Sequence, residues 1–164
     1  MTPSRRDALA LFPFAALAAA VPSAALADDA MTNREVIDSV FTQLWRERDM
    51  SAIERWHAED YRNHLIDPAM GFSDRLDGMS VILTMFFTAF EETDLVAVQQ
   101  VSEGDLIFTL CTFSATHKGE IQGVPATGRE VEMRVMRLDR IRDGKISDHW
   151  SHPDFQGLMR QITA

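Results

Sequence analysis

From Thr32 onward the chain shows two kinds of pattern. Apolar residues recur at helical spacing up to about Phe90, and apolar and polar residues alternate after it. Val36, Ile37, Val40, Phe41, Leu44 and Trp45 fall three or four residues apart, which puts them on one stripe of a helix. Thr32, with Glu35 three residues later, supplies the reciprocal capping pattern that opens such a helix. Asp49-Met50-Ser51 breaks the stripe, and a short second helix carries Ile53 and Trp56. The run from His57 to His64 is polar, has no clean period and reads as loop. A third helix is expected from a cap at Asp77 to about Phe90, with Val81, Ile82, Met85, Phe86, Ala89 and Phe90 as its apolar face.

At Asp94 the sheet begins. Ser102-Glu103-Gly104-Asp105 reads as a turn, and Leu106 to His117 as one long strand. Side chains alternate along a strand, so Thr109, Cys111, Phe113, Ala115 and His117 share a face and Leu106, Phe108, Leu110, Thr112, Ser114 and Thr116 share the other. Both faces are apolar or small, so both call for cover, one from the helices and one from a partner subunit or the curl of the sheet. After a loop from Gly119 to Gly128, Arg129 to Arg140 alternates again, with Val131, Met133, Val135 and Arg137 on one side. Asp143-Gly144 between two extended runs is a hairpin signal, because both central residues tolerate positive φ. On the return strand His149 and Ser151 face one way and Asp148, Trp150 and His152 the other, until Pro153 stops it. A short helix, Phe155 to Ile162, closes the chain. Helices first and an antiparallel-type sheet after them make an α+β layout.

Residues 1–27 read as an export signal. Ser4-Arg5-Arg6-Asp7 is a basic start, Ala8 to Leu26 is apolar and Ala-rich, and Ala25-Leu26-Ala27 is a small-x-small cleavage site before Asp28. The paired arginines suggest the twin-arginine route; an ordinary Sec signal is the alternative. Pro13 and Pro22 interrupt an apolar run that is only marginally long enough to span a bilayer, which argues against a stable membrane anchor. The expectation is an exported protein, periplasmic or secreted, whose residues 28–164 form one domain. Cleavage would leave it one unit more negative than the formal −9 of the whole chain. That acidity argues against nucleic acid and anionic membrane surfaces. Cys111 is the single cysteine, so packing rather than an intramolecular disulfide must hold the fold.

Several short motifs carry a resemblance. Tyr61-Arg62-Asn63, Thr116-His117-Lys118-Gly119, Gly123-Val124-Pro125-Ala126-Thr127-Gly128-Arg129, Gly144-Lys145-Ile146, His149-Trp150, Pro153-Asp154-Phe155-Gln156-Gly157 and Arg160-Gln161 stand in the order and spacing of the SnoaL-like polyketide (ester) cyclases. The chain resembles that family from about Thr32 to Ile162. The resemblance implies a nuclear-transport-factor-2-like cone, in which a curved, mostly antiparallel sheet wraps around three N-terminal helices and leaves an apolar funnel. It also implies an intramolecular aldol condensation that closes a ring on a polyketide ester, with no metal or organic cofactor. The substrate protons in such a reaction are already acidified by flanking carbonyls, so a base, an enolate-holding donor set and an acid suffice.

The candidate groups follow. His149, His117 and Asp154 are candidates for moving protons, since histidine titrates near ambient pH. Asn63, Arg137, Ser151, Trp45 and Trp56 are candidates for holding a hydrophobic, anionic small molecule, with Asp154 as the partner of Arg137. Asp154 also reads as a helix cap after Pro153, and His64 as a surface imidazole. Two positions depart from the family. Its usual acid–base carboxylate, one residue past the tryptophan, is Ser151 here, and Arg137 stands where histidine is common. A metal site is not expected, since His149 and His152 face opposite sides of a strand. Two functions therefore stay open: a cofactor-free acid–base enzyme acting on a small carbonyl compound, or a non-catalytic binding protein with the same funnel. The semi-apolar second sheet face, Leu106, Phe108, Leu110, Met136 and Leu138, predicts a homodimer.

Overall fold

The computed structural model describes residues 33–66 and 71–164. The export signal and the cap at Thr32 lie outside the described residues. A helix over residues 33–40 runs on into a π-helical stretch, Phe41–Arg46 (together α1), in which Glu47 N–H donates to Thr42 O at 2.9 Å. Then come α2 (Ala52–Trp56), β1 (His57–Asn63), α3 (Leu76–Ala89), β2 (Phe90–Glu103), β3 (Leu106–His117), β4 (Glu130–Arg142), β5 (Lys145–Pro153) and α4 (Phe155–Thr163). The sheet order is β1-β5-β4-β3-β2. Strands β2 to β5 form an antiparallel meander, and β1 joins its far edge in parallel with β5. The fold is α+β, an unclosed curved sheet around the helices.

The curvature has local causes. Register slips at Glu91/Asp94 and Ala97/Gln99 insert extra residues into β2, and the slip opposite Arg140/Ile141 leaves Ser147 of β5 without a pairing partner; each such bulge bends its strand. Residues Asp143 and Gly144 take φ of 51° and 71°, so the β4–β5 hairpin turns where two left-handed residues were expected. Inside the curve, Ile37, Val40 and Leu44 of α1 meet Leu95, Ile107, Cys111, Phe113 and Met133 of the sheet, all buried. Leu158 and Ile162 of α4 bury into the same core. A hydrogen bond from Thr93 Oγ1 to Trp45 O, 2.7 Å, ties the end of α1 to β2.

Three expectations change. His57–Asn63 is a strand rather than a loop; its inward residues are His57, Tyr61 and Asn63, polar or amphipathic groups that hide the usual apolar alternation. The sheet starts at Phe90, directly from the end of α3, rather than at Asp94. Helix α3 starts at Leu76, so Asp77 sits in its first turn, where it accepts from Ser73 Oγ at 2.7 Å. Gly78 packs so close to the preceding loop that a Cβ there would lie 1.8 Å from Ser73 O. The helix face turns accordingly: Val81 and Met85 are half exposed, while Leu83 is buried.

Candidate active site

The strand register assembles the site. Asn63 of β1 pairs with His149 of β5, and His149 pairs with Asp139 of β4. One step along the sheet, Ser151 pairs with Arg137, and Arg137 with Thr109 of β3. These two adjacent rows project from the inner face of the sheet. There Asn63, Arg137, His149 and Ser151 line a cavity of ≈ 160 Å³. Apart from Tyr61 of β1, its remaining wall is apolar: Leu44 and Trp45 from α1, Met79, Ile82 and Phe86 from α3, Phe113 and Met133 from the sheet. Leu65, 50% exposed, stands at its mouth. The volume is close to that of an engineered cavity of about 150 Å³ that takes one benzene, so a ring-sized fragment fills it.

A charged triad sits at its floor. Arg137 donates from Nε to Asp139 Oδ2 at 2.6 Å and from Nη2 to Asp139 Oδ1 at 2.7 Å. His149 Nδ1 lies 2.8 Å from the same Oδ1. Asp139 is fully buried and Arg137 nearly so. Burial alone would raise the Asp139 pKa, but Arg137 and His149 overcome it and hold the carboxyl well below the usual carboxylate range. Burial likewise lowers the pKa of His149; Asp139 opposes that shift and Arg137 adds to it, and the net effect is downward. The imidazole is therefore neutral near pH 7. With Nδ1–H donated to a carboxylate, Nε2 is the unprotonated nitrogen, left for whatever occupies the cavity. The guanidinium also lies over the Phe41 ring at 5.1 Å.

Of the sequence candidates, Asn63, Arg137, His149, Ser151 and Trp45 meet at the cavity; Trp56, His117 and Asp154 do not line it. Trp56 donates from Nε1 to Gln43 Oε1 at 2.9 Å, away from the opening. His117 ends β3 behind Phe90, with Nδ1 2.9 Å from Thr127 Oγ1, and serves the core. Asp154 caps α4, accepting from Gly157 N at 2.8 Å, and it borders a groove on the other face of the sheet with Met136 and His152. The expected Arg137–Asp154 pair is replaced by Arg137–Asp139: a residue two positions along the same strand is nearer than one beyond the end of the next. His64, in contrast, is ordered by stacking on Trp150, centroids 4.3 Å apart, and by Asp148 at 2.9 Å. Asp139 and Tyr61 are the site residues missed in the sequence. The signal for Asp139 was present, since the alternation that turns Arg137 inward also turns Asp139 inward.

Comparison with known proteins places the fold in a family. The SnoaL-like polyketide cyclase family matches residues 35–162. The chain belongs to that family. Nogalonic acid methyl ester cyclase of Streptomyces nogalater is 37% identical over 75 residues, covering 46% of this chain and 56% of that one. Aklanonic acid methyl ester cyclase DnrD of Streptomyces peucetius is 36% identical over 72 residues, covering 44% of this chain and 50% of that one. The chain thus spans about half the length of the curated relatives it matches. Among solved structures, TsrD from Streptomyces laurentii superposes with a TM-score of 0.71 at 26% identity, covering 80% of this chain and 95% of that one. IdmH from Streptomyces antibioticus shares the fold, with a TM-score of 0.70 at 24% identity over 80% of this chain and 99% of that one. Within the SnoaL-like family the triad Arg137–Asp139–His149 gives this chain a buried ion pair behind a neutral imidazole, with the hydroxyl of Ser151 beside it.

Proposed function

We propose that the protein is a cofactor-free acid–base catalyst that enolises a small carbonyl compound and closes a ring by intramolecular aldol addition. The observation that carries this is the 2.8 Å contact between His149 Nδ1 and Asp139 Oδ1 at the floor of an apolar cavity. His149 Nε2 takes the proton from a carbon flanked by two carbonyls, and the C–H pair of electrons moves onto a carbonyl oxygen as an enolate. The enolate carbon attacks a ketone of the same molecule. As the new C–C bond forms, the ketone oxygen becomes an alkoxide, and His149 Nε2–H returns the proton to it. Asp139 fixes the tautomer and stabilises the imidazolium while it exists, and Arg137 keeps Asp139 ionised throughout. Asn63 binds an oxygen of the substrate, and Trp45 and Phe86 pack on its ring.

Hydrogen–deuterium exchange at the central carbon of a 1,3-diketone, followed by NMR, tests the reading. His149→Phe should slow exchange by about 10²–10⁴-fold, the usual worth of a positioned base. Equal exchange by the variant refutes it.

Ser151 favours a second reading, since a neutral hydroxyl stands where the family resemblance implies a carboxylate. In that reading the funnel binds an acidic hydrophobic small molecule without turning it over. Ser151→Asp separates the two: ester-cyclase activity that appears only in the variant means that the natural chain is a binder. Export of residues 28–164 after cleavage and assembly as a homodimer complete the proposal. Among the described residues no helix is long and apolar enough to cross a membrane.

A further inference from the structure

Tyr61 is completely buried, yet among the described residues its hydroxyl has no hydrogen-bond partner. It also lines the cavity. A buried hydroxyl without a partner is costly and uncommon, and where one faces a cavity a ligand atom is its natural complement. The ring is firmly held: His57 packs edge-on against it at 5.0 Å and 86°, and His57 is itself fixed by a 2.9 Å contact from Nδ1 to Ile53 O.

Arg137 does not fill the role. Two of its guanidinium nitrogens are committed to Asp139, at 2.6 and 2.7 Å, and its charge is balanced there. Asn63 is half committed too, because its side-chain oxygen accepts from Leu65 N–H at 3.0 Å. Tyr61 lies two residues before Asn63 on the same face of β1, and Asn63 is the register partner of His149. The phenol and the base therefore border one volume. The phenol shares the cavity wall with Arg137 as well. Burial pushes its pKa well above the ordinary tyrosine value, so it remains a proton-bearing donor at any working pH.

We infer that Tyr61 is a catalytic residue of this site: its O–H donates to the substrate oxygen that becomes the enolate when His149 removes the α-proton. The ligand class follows, namely a β-dicarbonyl compound whose oxygen binds Tyr61 while its central carbon faces His149. The inference rests on the acid–base reading of His149. Tyr61 keeps its proton throughout; its contribution is a preorganised donor aimed at developing charge.

Tyr61 is the only tyrosine in the chain, so the protein labelled with ¹³Cζ-tyrosine gives one resonance that is necessarily Tyr61. The probe is pentane-2,4-dione, which keeps its central C–H at neutral pH, titrated into the full-length protein. The Cζ resonance should move as the probe binds. Tyr61→Phe should bind it about tenfold more weakly, slow α-proton exchange by about 10²-fold, and melt no lower than the natural protein, since it removes an unpaired hydroxyl. His149→Phe should slow exchange by about 10²–10⁴-fold yet keep the Cζ shift. If exchange depends on His149 while the Cζ resonance is still and Tyr61→Phe behaves as wild type, the Tyr61 inference falls and the acid–base reading stands. If the shift and the binding loss are seen without any exchange, Tyr61 stands as a binding donor and the acid–base reading falls. No binding of the dione, or a lower melting point with unchanged binding, as an internally hydrated hydroxyl would give, overturns the inference. Should Tyr61→Phe not fold, the Cζ shift in the natural protein decides alone.

Discussion

Arg137 closes on Asp139, two residues further along the same strand, through Nε–Oδ2 at 2.6 Å and Nη2–Oδ1 at 2.7 Å. A planar guanidinium matches a carboxylate in this two-point fashion, and the pair leaves Oδ1 able to accept from His149 as well. Removing one partner of a buried pair strands the other. Arg137→Met should therefore cost about 3–5 kcal/mol in chemical denaturation at neutral pH. The loss should shrink toward acid pH, because a stranded Asp139 can protonate there. Combining it with Asp139→Leu should recover much of the stability.

Asp139→Asn keeps the shape but removes the charge that opposes the burial shift of His149. The His149 pKa should then fall further, visible as a displaced imidazole titration in NMR. Without a carboxylate to accept Nδ1–H the ring loses its fixed tautomer, so α-proton exchange should drop by about 10²-fold or more.

His57 is buried, and burial pushes its pKa down to about 4 from the ordinary 6.5, with the Ile53 carbonyl opposing the shift. The unfolded chain thus binds a proton that the folded one refuses, and stability should rise with pH between about 4 and 6.5. The contribution present above 6.5 and lost below 4 is of order 3 kcal/mol. Replacing His57 with Gln should flatten that slope in denaturation curves measured across the window.

On the outer face of the sheet, Val101, Phe108, Leu138 and Trp150 form one register row and Leu110, Met136 and His152 the next. Phe108 and Met136 are 38% and 46% exposed. Patches of this kind are rarely left to water. The natural protein should be a dimer by light scattering at micromolar concentration, and Phe108→Asp with Met136→Asp should make it a monomer.

The exported form should begin at Asp28, checked by intact-mass analysis of periplasmic or secreted material. Replacing Arg5 and Arg6 with lysine should block export on the twin-arginine route; unimpaired export would point to Sec.

The sequence by itself determined the elements whose residues repeat with a clean period. The α1 stripe, the faces of β3 and β4, the Asp143-Gly144 turn and the opposite orientations of His149 and His152 follow from periods of 3.6 and 2 and from backbone sterics, which act locally. Family motifs then turned an α+β list into a cone with a funnel. Only the tertiary structure decided what meets in that funnel. β1 escaped notice because its inward side chains are His57, Tyr61 and Asn63, polar or amphipathic groups whose burial is set by tertiary packing that a periodicity count cannot see. Trp45 and Trp56 look alike in sequence, yet the packing of α1 against α3 turns one to the cavity and leaves the other on Gln43. Along the chain Asp154 stood out as the partner of Arg137; in the folded sheet Asp139, turned inward by the same alternation as Arg137, lies at bonding distance instead, while Asp154 sits beyond the end of the next strand as the cap of α4.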